Sequence, residues 1–179
     1  MNTMIYNLRT ILTAVLLCCY LATAQAADFS DYLLGTGDKI SIKVFGEEEL
    51  SAEFTLSDAG TISYPFLGEI KALDMTIGEL SRRISKELAD GYIVNPSVNI
   101  EVIGYREFYI NGQIKNPGAY PYQPGLTLHK AVAMAGGYTE RASGSKMYVL
   151  RDGTNKRQKI RNSAKIGPGD VITIEESFF

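Results

Sequence analysis

The apolar residues of this chain recur in short runs with a period of two, broken by glycine-bearing turns, which restricts the chain to small sheets with one buried and one wet face. In residues 38–45, Ile40, Ile42 and Val44 alternate with Lys39, Ser41 and Lys43. Residues 97–103 repeat the pattern with Val98, Ile100 and Val102 against Asn99 and Glu101. Short strands are expected at 54–56 and 61–64, joined by a turn at Ser57-Asp58-Ala59-Gly60. The acidic run Glu47-Glu48-Glu49 is expected to be a solvated loop in preference to a metal site.

One stretch departs from period two. Ile77, Leu80, Ile84 and Leu88 recur at intervals of three and four, so residues 77–90 are predicted to form an amphipathic helix. Thr76 and Glu79 have capping-box spacing at its start, and Gly91 suits the left-handed stop. Arg82, Arg83, Lys86 and Glu87 fall on the face away from the core.

After Gly104, a natural boundary, the pattern resumes with a strand at 107–111 and a turn at Lys115-Asn116-Pro117-Gly118. Pro followed by Gly suits a type II turn, with Gly118 at positive φ. A short strand follows through Tyr120, then a turn at Gln123-Pro124-Gly125. Thr127 opens a second short helix with Leu128, Ala131, Val132 and Ala135 inward, ended by Gly136-Gly137. Residues 146–150 and 156–160 form a hairpin across Asp152-Gly153-Thr154-Asn155, and 171–174 form the last strand. The fold class is therefore α+β, built as two small mixed modules.

Gly35-Thr36-Gly37-Asp38-Lys39-Ile40-Ser41-Ile42 is echoed by Gly167-Pro168-Gly169-Asp170-Val171-Ile172-Thr173-Ile174. Each copy reads as a turn, with Asp accepting from turn N–H groups, leading into a strand. A dinucleotide site is not expected, because neither copy has the third glycine, the preceding strand or the following helix.

At the N-terminus, Arg9 precedes an apolar run from Ile11 to Leu21, and Ala24-Gln25-Ala26 offers a small-x-small cleavage site. The run is shorter than the roughly 20 residues a spanning helix needs, so residues 1–26 are expected to be a signal peptide. Cys18 and Cys19 raise a lipidation reading, but bulky Leu17 disfavours it, and cleavage after Ala26 would leave no cysteine. The remaining residues carry 17 basic against 20 acidic groups, without the clustered positive charge of a nucleic-acid binder.

Residues able to exchange protons or attack electrophiles are few. His129 is the only histidine, sits inside a predicted helix, and reads as structural or exposed, so triad and zinc arrangements have little support. Paired carboxylates are the one route to glycan cleavage, yet the acids cluster in loops such as Glu175-Glu176, and there is no tryptophan to stack on sugar. Of 11 tyrosines, Tyr105, Tyr109, Tyr120, Tyr122 and Tyr138 fall in the second module, where they suit core packing, with an interface or glycan contact as the sharper reading. Lys156-Arg157-Gln158-Lys159-Ile160-Arg161 reads as an exposed strand or a contact for an acidic polymer.

Two regions carry a family resemblance. The segment from Tyr32-Leu33-Leu34-Gly35-Thr36-Gly37-Asp38 through Phe45, continued by residues 60–67, 73–88 and Asn95-Pro96-Ser97-Val98, resembles the export domain of bacterial outer-membrane polysaccharide export proteins of the Wza type. Residues 110–120, then Pro124-Gly125-Leu126-Thr127-Leu128 and Ala135-Gly136-Gly137-Tyr138-Thr139, resemble the soluble-ligand-binding β-grasp domain that follows it. Gly37, Asp38, Gly118, Gly136 and Gly137 are marked by these motifs and are expected to shape turns without touching polymer.

The resemblance implies a signal peptide at 1–26, an export domain at 27–104 and a β-grasp domain at 105–179. It further implies a periplasmic protein, associated with the outer membrane, that assembles as a homo-oligomeric ring around or extending a passage for capsular polysaccharide or exopolysaccharide. Transport without catalysis, cofactor or metal follows. The expected partners are the polysaccharide, an inner-membrane co-polymerase or synthesis complex, and a separate outer-membrane channel, because the chain ends at Ser177-Phe178-Phe179 without the amphipathic membrane helix of larger relatives. No nucleic-acid partner is expected. The competing reading is a monomeric periplasmic glycan-binding or regulatory module.

Overall fold

Residues 32–177 are described in the computed structural model of the chain, so the signal and lipidation readings at residues 1–26 lie outside the described residues. The first alternating run becomes β1 (Lys39–Val44), the centre of a three-stranded antiparallel sheet. It lies between β2 (Glu47–Thr55) and β5 (Val98–Gly104), with Ile42 opposite Ala52 on one side and Ile100 on the other. Period two sends Ile40, Ile42 and Val44 into the core and keeps Lys39 and Lys43 exposed. A hairpin of β3 (Thr61–Tyr64) and β4 (Gly68–Lys71) lies between β2 and the helix in sequence.

Helix α1 (Ile77–Ala89) starts at the predicted capping box: the Glu79 N–H donates to Thr76 Oγ1 at 3.2 Å, and the Thr76 N–H to Glu79 Oε2 at 2.8 Å. It stops before Gly91, whose φ is 95°. Leu80, Ile84 and Leu88 are fully buried with Ile40, Ile42, Ile62, Tyr64 and Ile70, and Ser81 Oγ donates to the Val98 carbonyl to fix the helix on β5.

The second module is a mixed five-stranded sheet in the order β7-β6-β10-β8-β9. Its strands are β6 (Phe108–Gly112), β7 (Gly118–Tyr120), β8 (Ala142–Leu150), β9 (Arg157–Lys159) and β10 (Val171–Glu176). The last strand, β10, runs parallel to the module's first strand, β6, and antiparallel to β8. Helix α2 (Leu128–Met134), capped by Thr127, buries Leu128, Ala131 and Val132 against Phe108, Ile110, Met147, Val149, Ile172 and Ile174. The chain is thus an α+β protein of two modules, each with its own apolar cluster. No helix among the described residues is long and apolar enough to cross a membrane.

Three local expectations are corrected. Glu47-Glu48-Glu49 is not a loop but the start of β2, because Gly46 at φ 84° turns the chain at once and pairs Glu47 with Val44. The three carboxylates point into solvent along an edge strand, where charge discourages pairing with foreign strands. Strand β4 was not foreseen, since a four-residue segment with Ile70 as its single buried residue shows no alternation. Gly118 is not at positive φ and makes no type II turn; it is the first residue of β7, paired with Ile110.

Candidate functional site

The repeated glycine-aspartate turn builds the joint between the modules. In the first copy, Gly37 takes φ 88° and the Gly35 N–H donates to Asp38 Oδ2 at 2.8 Å; in the second, Gly169 takes φ 78° and the Gly167 N–H donates to Asp170 Oδ2 at 2.7 Å. Positive φ at the residue before each Asp is what only glycine adopts at little cost. Both carboxylates are buried, at 0% and 2% exposure, and each turn feeds the central strand of its sheet, β1 or β10.

Buried carboxylates need charged partners. Arg106 supplies one: its N–H donates to Asp38 Oδ1 at 3.0 Å, and its guanidinium meets Asp38 Oδ2 at 2.9 Å and Asp152 Oδ2 at 2.8 Å. Arg151 plays the same part for Asp170, at 2.5 Å, and the Asp152 N–H reaches Asp170 Oδ1 at 3.4 Å. A continuous chain, Asp38 to Arg106 to Asp152 to Asp170 to Arg151, therefore ties the two glycine turns together. Gly35 leaves room for it, since a side chain there would collide with the Arg106 guanidinium.

Beside the ion pairs run three aromatic rings. Tyr32 and Tyr105 meet edge to face at 5.0 Å, and Tyr105 and Tyr122 at 5.3 Å, while the Tyr32 hydroxyl donates to Asp38. Burial pushes the Tyr32, Tyr105 and Tyr122 hydroxyls above the ordinary phenol range, and for Tyr32 the Asp38 carboxylate adds to the effect. Two of the six second-module tyrosines, Tyr105 and Tyr122, thus serve the joint. Tyr120 stacks on Phe108, Tyr109 is half exposed, and Tyr138 donates to Asn162 Oδ1 at 2.6 Å.

An opening in the second module lies where β9 parts from β8. After Ile160, whose N–H bonds the Met147 carbonyl, the chain turns toward α2, and the His129 N–H donates to the Asn162 carbonyl. The gap left beside residues 144–147 of β8 is a groove of about 760 Å³, lined by Ser145, Met147, Lys159, Arg161, Asn162 and Ser163 among others. A smaller cleft shares Gly144 and Asn162 with it and brings in Tyr138 and Ser143. Half of the basic run 156–161 thus faces a cavity, whereas Arg157 is occupied by Glu175 at 2.8 Å and lies 4.0 Å over the Tyr148 ring.

A different surface marks the first module. Phe45, Phe66, Tyr92 and Val94 are 88%, 67%, 54% and 90% exposed, in the turns at 45–46 and 65–67 and the segment after α1. The Phe66 and Tyr92 rings lie 5.7 Å apart, and Phe66 is held outward at φ 62°. The motif residues Gly136 and Gly137 sit at φ 81° and 93° at the end of α2, and neither is among the residues lining the groove or the smaller cleft. His129 is exposed on α2, and among the described residues no three of His, Cys, Asp and Glu are placed to hold a metal ion.

Comparison with known proteins follows the same division. Residues 26–103 match the model of the polysaccharide biosynthesis/export protein family, and residues 108–160 match the SLBB domain. The exopolysaccharide production protein ExoF of Rhizobium meliloti is 29% identical over 178 residues, covering 86% of this chain and 42% of ExoF. The EPS I polysaccharide export outer membrane protein EpsA of Ralstonia nicotianae is 28% identical over 154 residues, covering 71% of this chain and 40% of EpsA. The polysialic acid transport protein KpsD of Escherichia coli is 22% identical over 132 residues, covering 73% of this chain and 24% of KpsD. The chain spans less than half the length of each of these relatives. With an export module followed by an SLBB module in that order, the chain belongs to the bacterial polysaccharide export protein family of the Wza type.

Proposed function

We propose that the protein is a periplasmic component of a machine that exports capsular polysaccharide or exopolysaccharide, forming or extending a passage for the polymer and performing no covalent chemistry on it. The observation that carries this reading is the succession of the two matched domains along the chain, in relatives named for exopolysaccharide production, polysaccharide export and polysialic acid transport. In this reading residues 1–26 are an export signal, 27–104 the export domain and 105–179 the β-grasp domain. The protein works as a homo-oligomeric ring close to the outer membrane, joined inward to a synthesis or co-polymerase complex and outward to a separate channel. The exposed Phe45, Phe66, Tyr92 and Val94 support self-association, because large apolar side chains gathered at loop tips favour burial against another chain.

The test is the distribution of polymer between cell surface, periplasm and cytoplasm in a strain lacking the gene and in the complemented strain. Loss of surface polymer, with internal accumulation or stalled synthesis and restoration by complementation, is the expected result. Unchanged location with altered chain length or substitution would replace export by modification or regulation.

A further inference from the structure

The groove beside β8 has a chemical character that the export reading leaves unassigned. We propose that it is a binding site for an anionic, carboxylate-bearing glycan segment, with Arg161 and Lys159 as the residues that read its charge. The inference rests on the export reading, since it names the class of polymer this surface meets.

Three observations carry it. First, the cations are uncommitted: Arg83, Arg106, Arg141, Arg151 and Arg157 are each paired with a carboxylate, whereas Arg161 and Lys159 enter none of the ion pairs among the described residues. Second, the lining holds no Asp or Glu, while the clefts of the first module carry Glu48, or Glu47 and Glu49, or Glu87 and Asp90. On a chain of net charge −2, an acid-free groove with two cations is a local reversal of sign. Third, neutral groups able to donate hydrogen bonds line the groove. Tyr138 donates to Asn162 Oδ1, so the acceptor of that amide is engaged and its N–H groups are what Asn162 brings to the lining, where Ser163 adds a hydroxyl.

Donors and cations without acceptors of charge select a ligand rich in oxygens and carrying negative charge. A carboxylate matches the planar fork of Arg161, which can bind both its oxygens at once. Sugar hydroxyls suit Asn162 and Ser163. A neutral glycan would ask instead for exposed stacking rings, and the one ring in the adjoining cleft, Tyr138, is partly buried against the core of the module. Nucleic acid would need positive charge spread along the molecule to follow a phosphate backbone, and the groove offers it at one place only.

The test titrates the full chain with polygalacturonate oligosaccharides and with maltooligosaccharides of equal length, following affinity by calorimetry. The uronate is expected to bind, to weaken about tenfold in the double variant Lys159→Gln/Arg161→Gln, and to weaken as salt rises, as charge-assisted hydrogen bonds should. Lys86→Gln on α1 should leave binding unchanged. Equal affinity for the neutral glycan, absence of uronate binding, an unaffected double variant, or equal binding of single-stranded DNA or anionic vesicles would each overturn the proposal. In cells the two readings separate: a deletion that blocks export beside a double variant that exports normally overturns the glycan site alone, and a deletion without effect on polymer overturns the export reading.

Discussion

Asp38 and Asp170 are carboxylates with almost no access to water, and each is held by a glycine-turn N–H on one side and an arginine on the other. Removing one partner of such a pair leaves an uncompensated buried charge, at a cost of about 3–5 kcal/mol. Arg106 remains one-fifth exposed, so the loss on Arg106→Ala is expected near the low end, about 3 kcal/mol, read by denaturant unfolding. Gly35→Ala should act in the same direction by pushing the guanidinium off Asp38. Tyr32 adds a pH dependence. Burial, with the bond to Asp38, raises its folded pKa above the ordinary phenol value of about 10, so its stabilisation is complete below pH 10 and is lost as pH rises through the folded value. The stability gap between wild type and Tyr32→Phe should therefore narrow above pH 10. The aspartates themselves could be read from the repeated turn. Their arginines could not, because Arg106 lies 68 residues from Asp38 and nothing local marks the pair.

Elements were readable where their determinants are local. Helix α1 was visible from its four core residues and its capping box, both contained within a few turns of chain. The cap also titrates. Hydrogen bonds from the Thr76 backbone and side chain hold the Glu79 carboxyl below its usual range, so its contribution is present above the ordinary carboxylate pKa and fades as pH falls through the folded value. Thr76→Ala is expected to cost about 1 kcal/mol at neutral pH, and Glu79→Gln to flatten the acid side of the stability profile, both measured by urea unfolding. Strand β2 was only half seen, because its charged beginning at Glu47-Glu48-Glu49 is indistinguishable in sequence from a solvated loop; pairing with β1 makes it a strand. The same holds for the groove. The basic run 156–161 was noticed, but that Arg157 is consumed by Glu175 and Tyr148 while Lys159 and Arg161 face an opening depends on where β9 parts from β8.

At the scale of the molecule, two apolar clusters, three sheets and one chain of ion pairs and hydrogen bonds make a unit whose modules are oriented by Arg106 and Asp152. Under the proposed function, such a joint suits a part that holds its shape beside a moving polymer, because a guanidinium bridging two carboxylates fixes direction as well as distance. The succession of an export module and an SLBB module was apparent from the sequence through motif residues that shape turns, whereas the surfaces proposed to meet polymer or neighbouring subunits carry no such signature. The most direct measurement is crosslinking in living cells with a photoreactive residue placed at Ser163 in the groove or at Lys86 on the charged face of α1, while the polymer is metabolically labelled. The account predicts labelled polymer attached at position 163, dependent on active synthesis, and none at position 86. Absence of polymer at position 163 while labelled chains continue to reach the cell surface would contradict it.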